Sequence, residues 1–129
     1  ASRHIAKNMV AAGIADQMLV QVSYAIGVVE PMGVFVDTYG SAKVNMTDGQ
    51  IATKILELFD LRPGLIEKNL QLRTPMYSES AAYGHMRRKS ETVSRTFKNG
   101  SGEEKTMNVE LFTWEKLNRV NDIKAAFGL

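Results

Sequence analysis

The change in hydrophobic spacing at Gly13 is the feature of this sequence that most restricts its fold. Before this glycine, Ile5, Met9 and Ala12 recur at the spacing of one face of a helix. After it, residues 18–28 alternate with a period of two, which is typical of a β-strand. Glycine suits the boundary because it adopts the left-handed backbone at a helix end without steric cost. This order predicts helices that pack against a sheet.

Two adjacent strands are predicted in the first third of the chain. Neither face of segment 18–28 carries a charge, which indicates a central strand covered on both sides. Residues 30–33 form a turn, and residues 34–39 are predicted to return antiparallel to the first strand. An upstream strand is missing from this order, and its absence would leave an open sheet edge. Because Ala1 already stands in a helical pattern, we expect a truncated or processed chain.

The middle of the chain predicts two helices and an irregular segment. Residues 47–49 offer N-cap chemistry for a helix. Its buried face is predicted to comprise Ile51, Ile55, Leu58 and Phe59. Residues 60–64 break this helix, a short helix covers residues 65–70, and residues 73–84 are expected to be irregular.

The last third predicts a hairpin followed by a helix. Residues 92–98 and 105–112 alternate around an Asn-Gly-Ser-Gly connection at 99–102, which is a strong hairpin signal. Thr113 is predicted to cap a final helix that ends at Gly128. The side chains expected to point inward from this helix are Trp114, Leu117, Val120 and Phe127.

Composition excludes several kinds of chemistry. The chain has no cysteine, so disulfides, zinc–thiolate sites and cysteine nucleophiles are excluded. Its 16 Lys and Arg against 14 Asp and Glu leave a net charge of +2, too small to favour nucleic acid or membranes. Of the two histidines, His4 is predicted to be solvated, and His85 to make a structural hydrogen bond to nearby backbone. We predict no catalytic residue and no metal ligand from spacing.

Two segments remain as candidate binding elements. Arg87-Arg88-Lys89, with Arg95 and Lys98 nearby, is either a solvated loop or a grip on phosphate or an acidic partner. Around Ile26, the small residues Ala25 and Gly27 allow close approach of another backbone or of a flat ligand. Tight helix packing is the alternative explanation for these small residues.

Several segments, in order along nearly the whole chain, resemble the C-terminal part of S-adenosylmethionine synthetases, also called methionine adenosyltransferases. The segments are IAKNMVAAG at 5–13, QVSYAIGV at 21–28, FVDTYG at 35–40, FDLRP at 59–63, SAAYGH at 80–85 and WEK at 114–116. Any one of them is a weak signal, whereas the ordered set is specific.

The resemblance implies an α+β fold, a two-layer α/β sandwich that forms part of a β-α-β-β-α-β repeat, with an added β-hairpin and C-terminal helix. It implies a cytoplasmic enzyme that joins ATP and L-methionine and releases phosphate and diphosphate. Mg²⁺ and K⁺ surround the polyphosphate leaving group in such an enzyme. The resemblance also implies a homodimer or a dimer of dimers, with no nucleic-acid or membrane partner.

The departures from the family decide what this chain can do. Residues 1–129 resemble the C-terminal domain without its first strand and its glycine-rich loop, so the catalytic residues and the metal ligands would lie outside this chain. Of the substrate contacts, the resemblance leaves only Ile26, which would lie against the adenine. Arg87 stands where the family commonly has glycine, and we expect this difference to alter the turn because arginine disfavours positive φ.

The leading interpretation is therefore a C-terminal part that is inactive alone. The alternative is a non-catalytic α/β interaction module, which would use an exposed sheet edge or the Arg87-Arg88-Lys89 cluster.

Overall fold

Four α-helices and two separate antiparallel sheets make up the structure, a computed structural model that describes all of residues 1–129. In chain order the elements are α1 (Ser2–Ala11), β1 (Leu19–Ser23), β2 (Gly33–Asp37), α2 (Asp48–Leu58), α3 (Pro63–Asn69), β3 (Glu91–Lys98), β4 (Glu104–Leu111), a 3-10 helix (Thr113–Glu115) and α4 (Val120–Phe127). β1 pairs with β2, and β3 pairs with β4. The prediction of an α+β class is confirmed. None of the helices has the length and hydrophobicity needed to cross a lipid bilayer.

The main core lies between the helices and one face of the β1–β2 sheet. Val20 and Val22 of β1 point into it, as the alternation predicted. The buried side chains of this core are Ile5, Met9, Ala12, Ile14, Val36, Ile51, Ala52, Ile55, Phe59, Leu61 and Ile123. The apolar faces predicted for α1 and α2 are therefore confirmed, and they form the helical layer of a two-layer arrangement.

The prediction of a central strand over residues 18–28, covered on both faces, is wrong. β1 ends at Ser23, and its outward side chains Leu19, Gln21 and Ser23 are exposed. Gly27 adopts a φ of +81°, and the N–H of Val28 donates to the carbonyl of Ala25 at 3.2 Å, so the chain turns. Only one face is covered because this sheet has two strands and helices on a single side.

The start of α2 follows the predicted capping chemistry. Thr47 Oγ1 accepts a hydrogen bond from the N–H of Gln50 at 3.3 Å, and Gln50 Oε1 accepts one from the N–H of Thr47 at 2.8 Å. The Asp48 carboxylate accepts hydrogen bonds from the N–H and the hydroxyl of Thr38, at 3.1 and 2.7 Å. These contacts join the beginning of α2 to the end of β2.

The hairpin is confirmed, with β3 and β4 paired over eight residues each. One of its faces packs on a second small core. That core comprises the buried side chains Met76, Val109, Leu111 and Phe112, with Val93, Phe97, Met107 and Trp114 partly buried against them. The opposite face is polar and lies toward solvent.

The chain after the hairpin differs from the prediction of one helix capped by Thr113. The Thr113 hydroxyl donates instead to the carbonyl of Leu70 at 2.6 Å. A 3-10 turn follows, an extended residue at Lys116 interrupts the helical backbone, and α4 begins only at Val120. Leu117 is consequently half exposed, whereas Ile123, which the prediction missed, is fully buried. The predicted helix end at Gly128 is confirmed by its left-handed φ of +72°.

Candidate functional site

A buried carboxylate, Glu115, joins three segments of the chain that are distant in sequence. Its side chain is fully shielded from solvent. From α1, Arg3 donates to both carboxylate oxygens at 3.0 Å, and Lys7 Nζ donates to Oε2 at 2.6 Å. The backbone N–H of Arg87 donates to Oε1 at 2.9 Å. One carboxylate thereby holds α1 and the loop before β3 to the 3-10 helix.

Two opposing effects act on the pKa of Glu115. Burial of the carboxyl raises its pKa, because the charged form loses hydration. The hydrogen bonds from Arg3, Lys7 and the N–H of Arg87 act in the other direction, and the net result is a pKa below the ordinary value. Glu115 is therefore ionised at neutral pH, which matches its two cationic neighbours.

A buried amide, Asn8, makes a second junction beside Glu115. Its Nδ2 donates to the carbonyls of His4 and Lys116, both at 2.8 Å. Its Oδ1 accepts from the N–H of Arg119 at 3.0 Å. Asn8 thus satisfies backbone groups of the segment between the 3-10 helix and α4, where no regular secondary structure pairs them.

The prediction that His4 is solvated is wrong. Only 9% of the residue is exposed, and Nε2 lies 2.9 Å from Oδ1 of Asn118. Burial is the main cause that lowers the pKa of His4, the hydrogen bond to Asn118 raises it, and positive neighbours lower it further. The net lowering keeps the ring neutral at pH 7. His4 was placed on the solvent side because its neighbours in sequence are polar, whereas segment 116–119 covers that side of α1.

The loop at residues 82–89 is held in an unusual backbone conformation by the segment that follows the hairpin. Tyr83, Gly84 and Arg87 all have positive φ, at 62°, 80° and 59°. The expectation that Arg87 alters the turn by avoiding positive φ is therefore wrong, since Arg87 adopts the left-handed backbone. Trp114 Nε1 donates to the carbonyl of His85 at 2.7 Å. The His85 ring itself packs edge to face on Trp114, with the ring centroids 6.3 Å apart, so the hydrogen bond at this residue involves its backbone and not its ring.

The basic residues near this loop make contacts inside the chain. Arg88 donates to the carbonyls of Ala82 and Gly84 and lies 4.6 Å over the ring of Phe112. Arg95 pairs with Glu79, and Lys98 pairs with Glu104 at 2.8 Å. The ion pairs neutralise Arg95 and Lys98, two of the five cations, which argues against a dedicated phosphate-binding site.

Substitutions of Arg87 measure how much its left-handed backbone lowers the free energy of unfolding. A left-handed backbone disfavours any residue with a Cβ by about 1 kcal/mol or more, and glycine escapes this cost. We expect Arg87→Gly to have a free energy of unfolding about 1 kcal/mol higher than Arg87→Ala, since both remove the same guanidinium. Urea denaturation of the two variants measures the difference. Equal stability of both variants would show that the conformation carries no cost.

The structure places Ile26 in the turn after β1 rather than in a strand. Its side chain is fully exposed. Exposed apolar side chains surround this turn and continue onto the outer face of the sheet; they are Leu19, Tyr24, Val28, Val29, Met32 and Phe35. We call this set, with Ile26, the outer apolar surface. A surface of this kind is suited to burial against a flat apolar group or another protein surface.

One polar contact anchors the turn that carries Ile26. Tyr24 Oη donates to the carbonyl of Leu61 at 2.6 Å, within the Phe-Asp-Leu-Arg-Pro segment. Burial raises the pKa of the Tyr24 hydroxyl, so it stays protonated and able to donate. The first half of the turn is therefore tied to the helical layer, and Ile26 projects beyond it.

The side chains present do not fit a metal site. No three His, Asp or Glu side chains are close enough together to hold an ion. The carboxylates of Glu115 and Asp48 already accept hydrogen bonds from other side chains, those of Lys7 and Thr38. No step of metal chemistry can be assigned to residues of this chain.

The comparisons with known proteins all indicate one family. A family model described as "S-adenosylmethionine synthetase, C-terminal domain" matches residues 1–96. This chain belongs to the S-adenosylmethionine synthetase family. A protein of Flavobacterium johnsoniae named S-adenosylmethionine synthase is 65% identical over 129 residues, which cover 100% of this chain and 31% of that protein. The protein of the same name from Bacteroides thetaiotaomicron is 66% identical over 129 residues, covering 100% of this chain and 30% of its own length.

A solved structure gives the same result. An S-adenosylmethionine synthetase of Campylobacter jejuni, described as unusual, superposes with a TM-score of 0.73 at 29% sequence identity. The match covers 97% of this chain and 28% of that chain. The chain therefore spans about a third of the length of the S-adenosylmethionine synthases that it matches. Its resemblance to the C-terminal part of the family is confirmed.

The residues that organise this part of an S-adenosylmethionine synthetase were only partly predicted. Glu115 was noticed as part of the Trp-Glu-Lys segment, but its contacts with Arg3 and Lys7 were not predicted, because more than 100 positions separate them. Asn8 carries one usable signal: it is an amide on the apolar side of α1, and a polar group at such a position needs buried partners. Sequence spacing cannot say which partners these are.

Proposed function

We propose that this chain is the C-terminal domain of an enzyme that makes S-adenosylmethionine from ATP and L-methionine, with release of phosphate and diphosphate. The observation that carries this proposal is the 65–66% identity to S-adenosylmethionine synthases, which extends over all 129 residues. In this proposal residues 1–129 lack the first strand and the glycine-rich loop of that domain. The enzyme is cytoplasmic.

In this function the outer apolar surface has two roles. Ile26, at its tip, lies against the adenine of ATP, since an exposed branched side chain offers a suitable surface for a flat ring. The sheet side chains Leu19 and Phe35, 43% and 54% exposed, face a second copy in a homodimer or a dimer of dimers. Burial of such side chains is a main source of association energy in homodimers.

Ile26→Ala tests the adenine contact. Because Ile26 is fully exposed, its truncation should leave the stability of the protein unchanged. Loss of the apolar contact is expected to raise KM for ATP by about tenfold and to leave KM for methionine nearly constant. Steady-state kinetics of the whole polypeptide measure both constants. Val29→Ala, at an exposed position in the same turn, is the matched control, and an equal effect of both variants would contradict the specific role of Ile26.

The chain alone is proposed to be inactive. It has no side-chain cluster for Mg²⁺, so the ligands for Mg²⁺ and K⁺ would come from the rest of the enzyme. The experiment compares the chain with the whole polypeptide, each incubated with ATP, methionine, Mg²⁺ and K⁺. We expect S-adenosylmethionine from the whole polypeptide only. Product from the chain by itself would overturn the inactivity, and no product from the whole polypeptide would overturn the proposed function.

A further inference from the structure

The β3 edge of the β3–β4 hairpin makes no backbone hydrogen bond with any segment other than β4. β3 is eight residues long and forms backbone hydrogen bonds with β4 but with no other segment. The family model ends at residue 96, within β3, so the outer part of the hairpin lies beyond the matched region. A long, unprotected edge strand is a ready template for pairing with another strand. β3 contains neither proline nor glycine to prevent such pairing.

The hydrogen bond that closes the hairpin shows which backbone N–H and C=O groups of β3 point away from β4. The N–H of Asn99 donates to the carbonyl of Glu103 at 3.0 Å, so Asn99 faces the opposite strand. Because N–H and C=O groups alternate sides along a strand, the groups of Thr92, Ser94 and Thr96 point away from β4. These residues would make the hydrogen bonds of an added strand. Val93 and Arg95 would then form the close, non-hydrogen-bonded pairs.

The charges on β3 are arranged symmetrically about Val93. Glu91 and Arg95 lie two residues on either side of it and on the same face of the hairpin. Glu91 is exposed, and Arg95 keeps a side-chain exposure of 46% beside its partner Glu79. In an antiparallel pair of two identical strands centred on Val93, each Glu91 therefore stands opposite Arg95 of the second copy. Opposite charges at such positions are favourable.

The neighbouring registers lack this match. In such a symmetric pair, the two-fold axis must lie between two copies of the same residue. Otherwise, paired residues would have their side chains on opposite faces of the sheet. Centred on Ser94, the pairing places Glu91 opposite the second copy's Phe97. Centred on Arg95, it places two guanidinium groups opposite each other. Charge thus selects the register centred on Val93.

We propose that β3 is an interaction surface for a second copy of this protein, paired antiparallel about Val93 to form a four-stranded sheet. This contact is separate from the outer apolar surface and does not depend on the proposed reaction. It is isologous, since the same strand of each copy provides both halves.

Cysteine cross-linking tests the register, since the chain contains no cysteine of its own. Val93→Cys in the whole polypeptide would place two thiols in a non-hydrogen-bonded pair, within the distance that a disulfide requires. We expect a disulfide-linked dimer on non-reducing gels after mild oxidation, with the unsubstituted protein as the control for cysteines elsewhere. Thr106→Cys, exposed on β4, should not cross-link, because β4 would be an outer strand.

A charge variant tests the proposed ion pairs. In the Val93→Cys background, Glu91→Arg changes both Glu91–Arg95 contacts into repulsive ones and should lower the cross-linked fraction roughly tenfold. Glu104→Arg, with the same change of charge on β4, should leave it unaltered.

Two results would overturn the proposal. The first is the absence of cross-linking both in Val93→Cys and in the exposed double variant Glu91→Cys/Arg95→Cys, which does not depend on packing at Val93. The second is cross-linking of Thr106→Cys to the same extent as Val93→Cys.

Discussion

Replacing Glu115 by alanine is expected to lower the free energy of unfolding by about 3 to 4 kcal/mol. The substitution removes a fully buried carboxylate, which leaves Arg3 and the N–H of Arg87 without their acceptor. Lys7 loses its ion pair and keeps only the backbone carbonyl of residue 115 as an acceptor. The loss should lie toward the lower end of the range for a broken buried ion pair, since both cations are about one-third exposed and regain water. Urea denaturation of the chain, followed by circular dichroism, measures the change.

Two further variants separate the buried cluster from an ordinary loss of charge. Glu57→Ala removes a carboxylate from an exposed pair with Lys54 and should cost less than about 1 kcal/mol. Glu115→Gln retains the shape and part of the hydrogen bonding, so its cost should fall between those of the two alanine variants. If Glu115→Ala were no more destabilising than Glu57→Ala, the structural role assigned to the cluster would be wrong.

The same carboxylate predicts a pH dependence. Its pKa in the folded protein is lowered, so the stability it contributes is fully present above the ordinary value of 4.5. As pH falls below that value and through the folded pKa, the contribution is lost. We expect the stability difference between the unsubstituted chain and Glu115→Gln to be constant near neutrality and to shrink on acidification. Denaturation curves at several pH values give this difference, and a gap that widens toward acid would contradict the assignment.

Asn8→Ala is the second change with a large expected effect, a loss of about 2 to 4 kcal/mol. Without the amide, which is fully buried, the carbonyl of Lys116 and the N–H of Arg119 lose their partner in a partly buried segment. Each unsatisfied buried group costs about 1 to 3 kcal/mol, and better helix propensity of alanine offsets only a small part.

The control for Asn8 is Asn121, an exposed residue of α4. Asn121→Ala should change the free energy of unfolding by less than about 1 kcal/mol, and the change should be stabilising if helix propensity dominates. Asn8→Asp adds a sharper comparison, because a carboxylate in place of the amide would face the carbonyls of His4 and Lys116 without a proton to donate. Thermal unfolding of the three variants ranks them. A tolerated Asn8→Asp would show that water reaches this junction.

Local chemistry accounts for the elements that were predicted well. The hairpin followed from alternation on both sides of an Asn-Gly connection, and the α2 N-terminus from the N-cap chemistry of residues 47–49. The helix ends near Gly13 and Gly128 followed from a backbone conformation that glycine favours. Each of these signals involves residues within one turn or one hairpin, so no knowledge of the rest of the chain was needed.

The errors occurred where a distant segment decides the environment. His4 was expected in water and is covered by Asn118, and segment 18–28 was expected between two layers but has helices on one side only. Thr113 has the side chain of a helix cap and instead bonds to Leu70. In each case the residue type permits both outcomes, and the partner lies far away in sequence.

The amino-acid sequence alone determined the class of fold, the family, and most helix and strand positions. Periodicity, turn chemistry and ordered motifs depend on residues that are close together in the sequence. Only the tertiary structure decided that Glu115 and Asn8 join the two ends of the chain, and that Ile26 and the β3 edge are left uncovered. Burial and pairing depend on which segments meet in space. Contacts across more than 100 positions leave no periodic trace in the sequence.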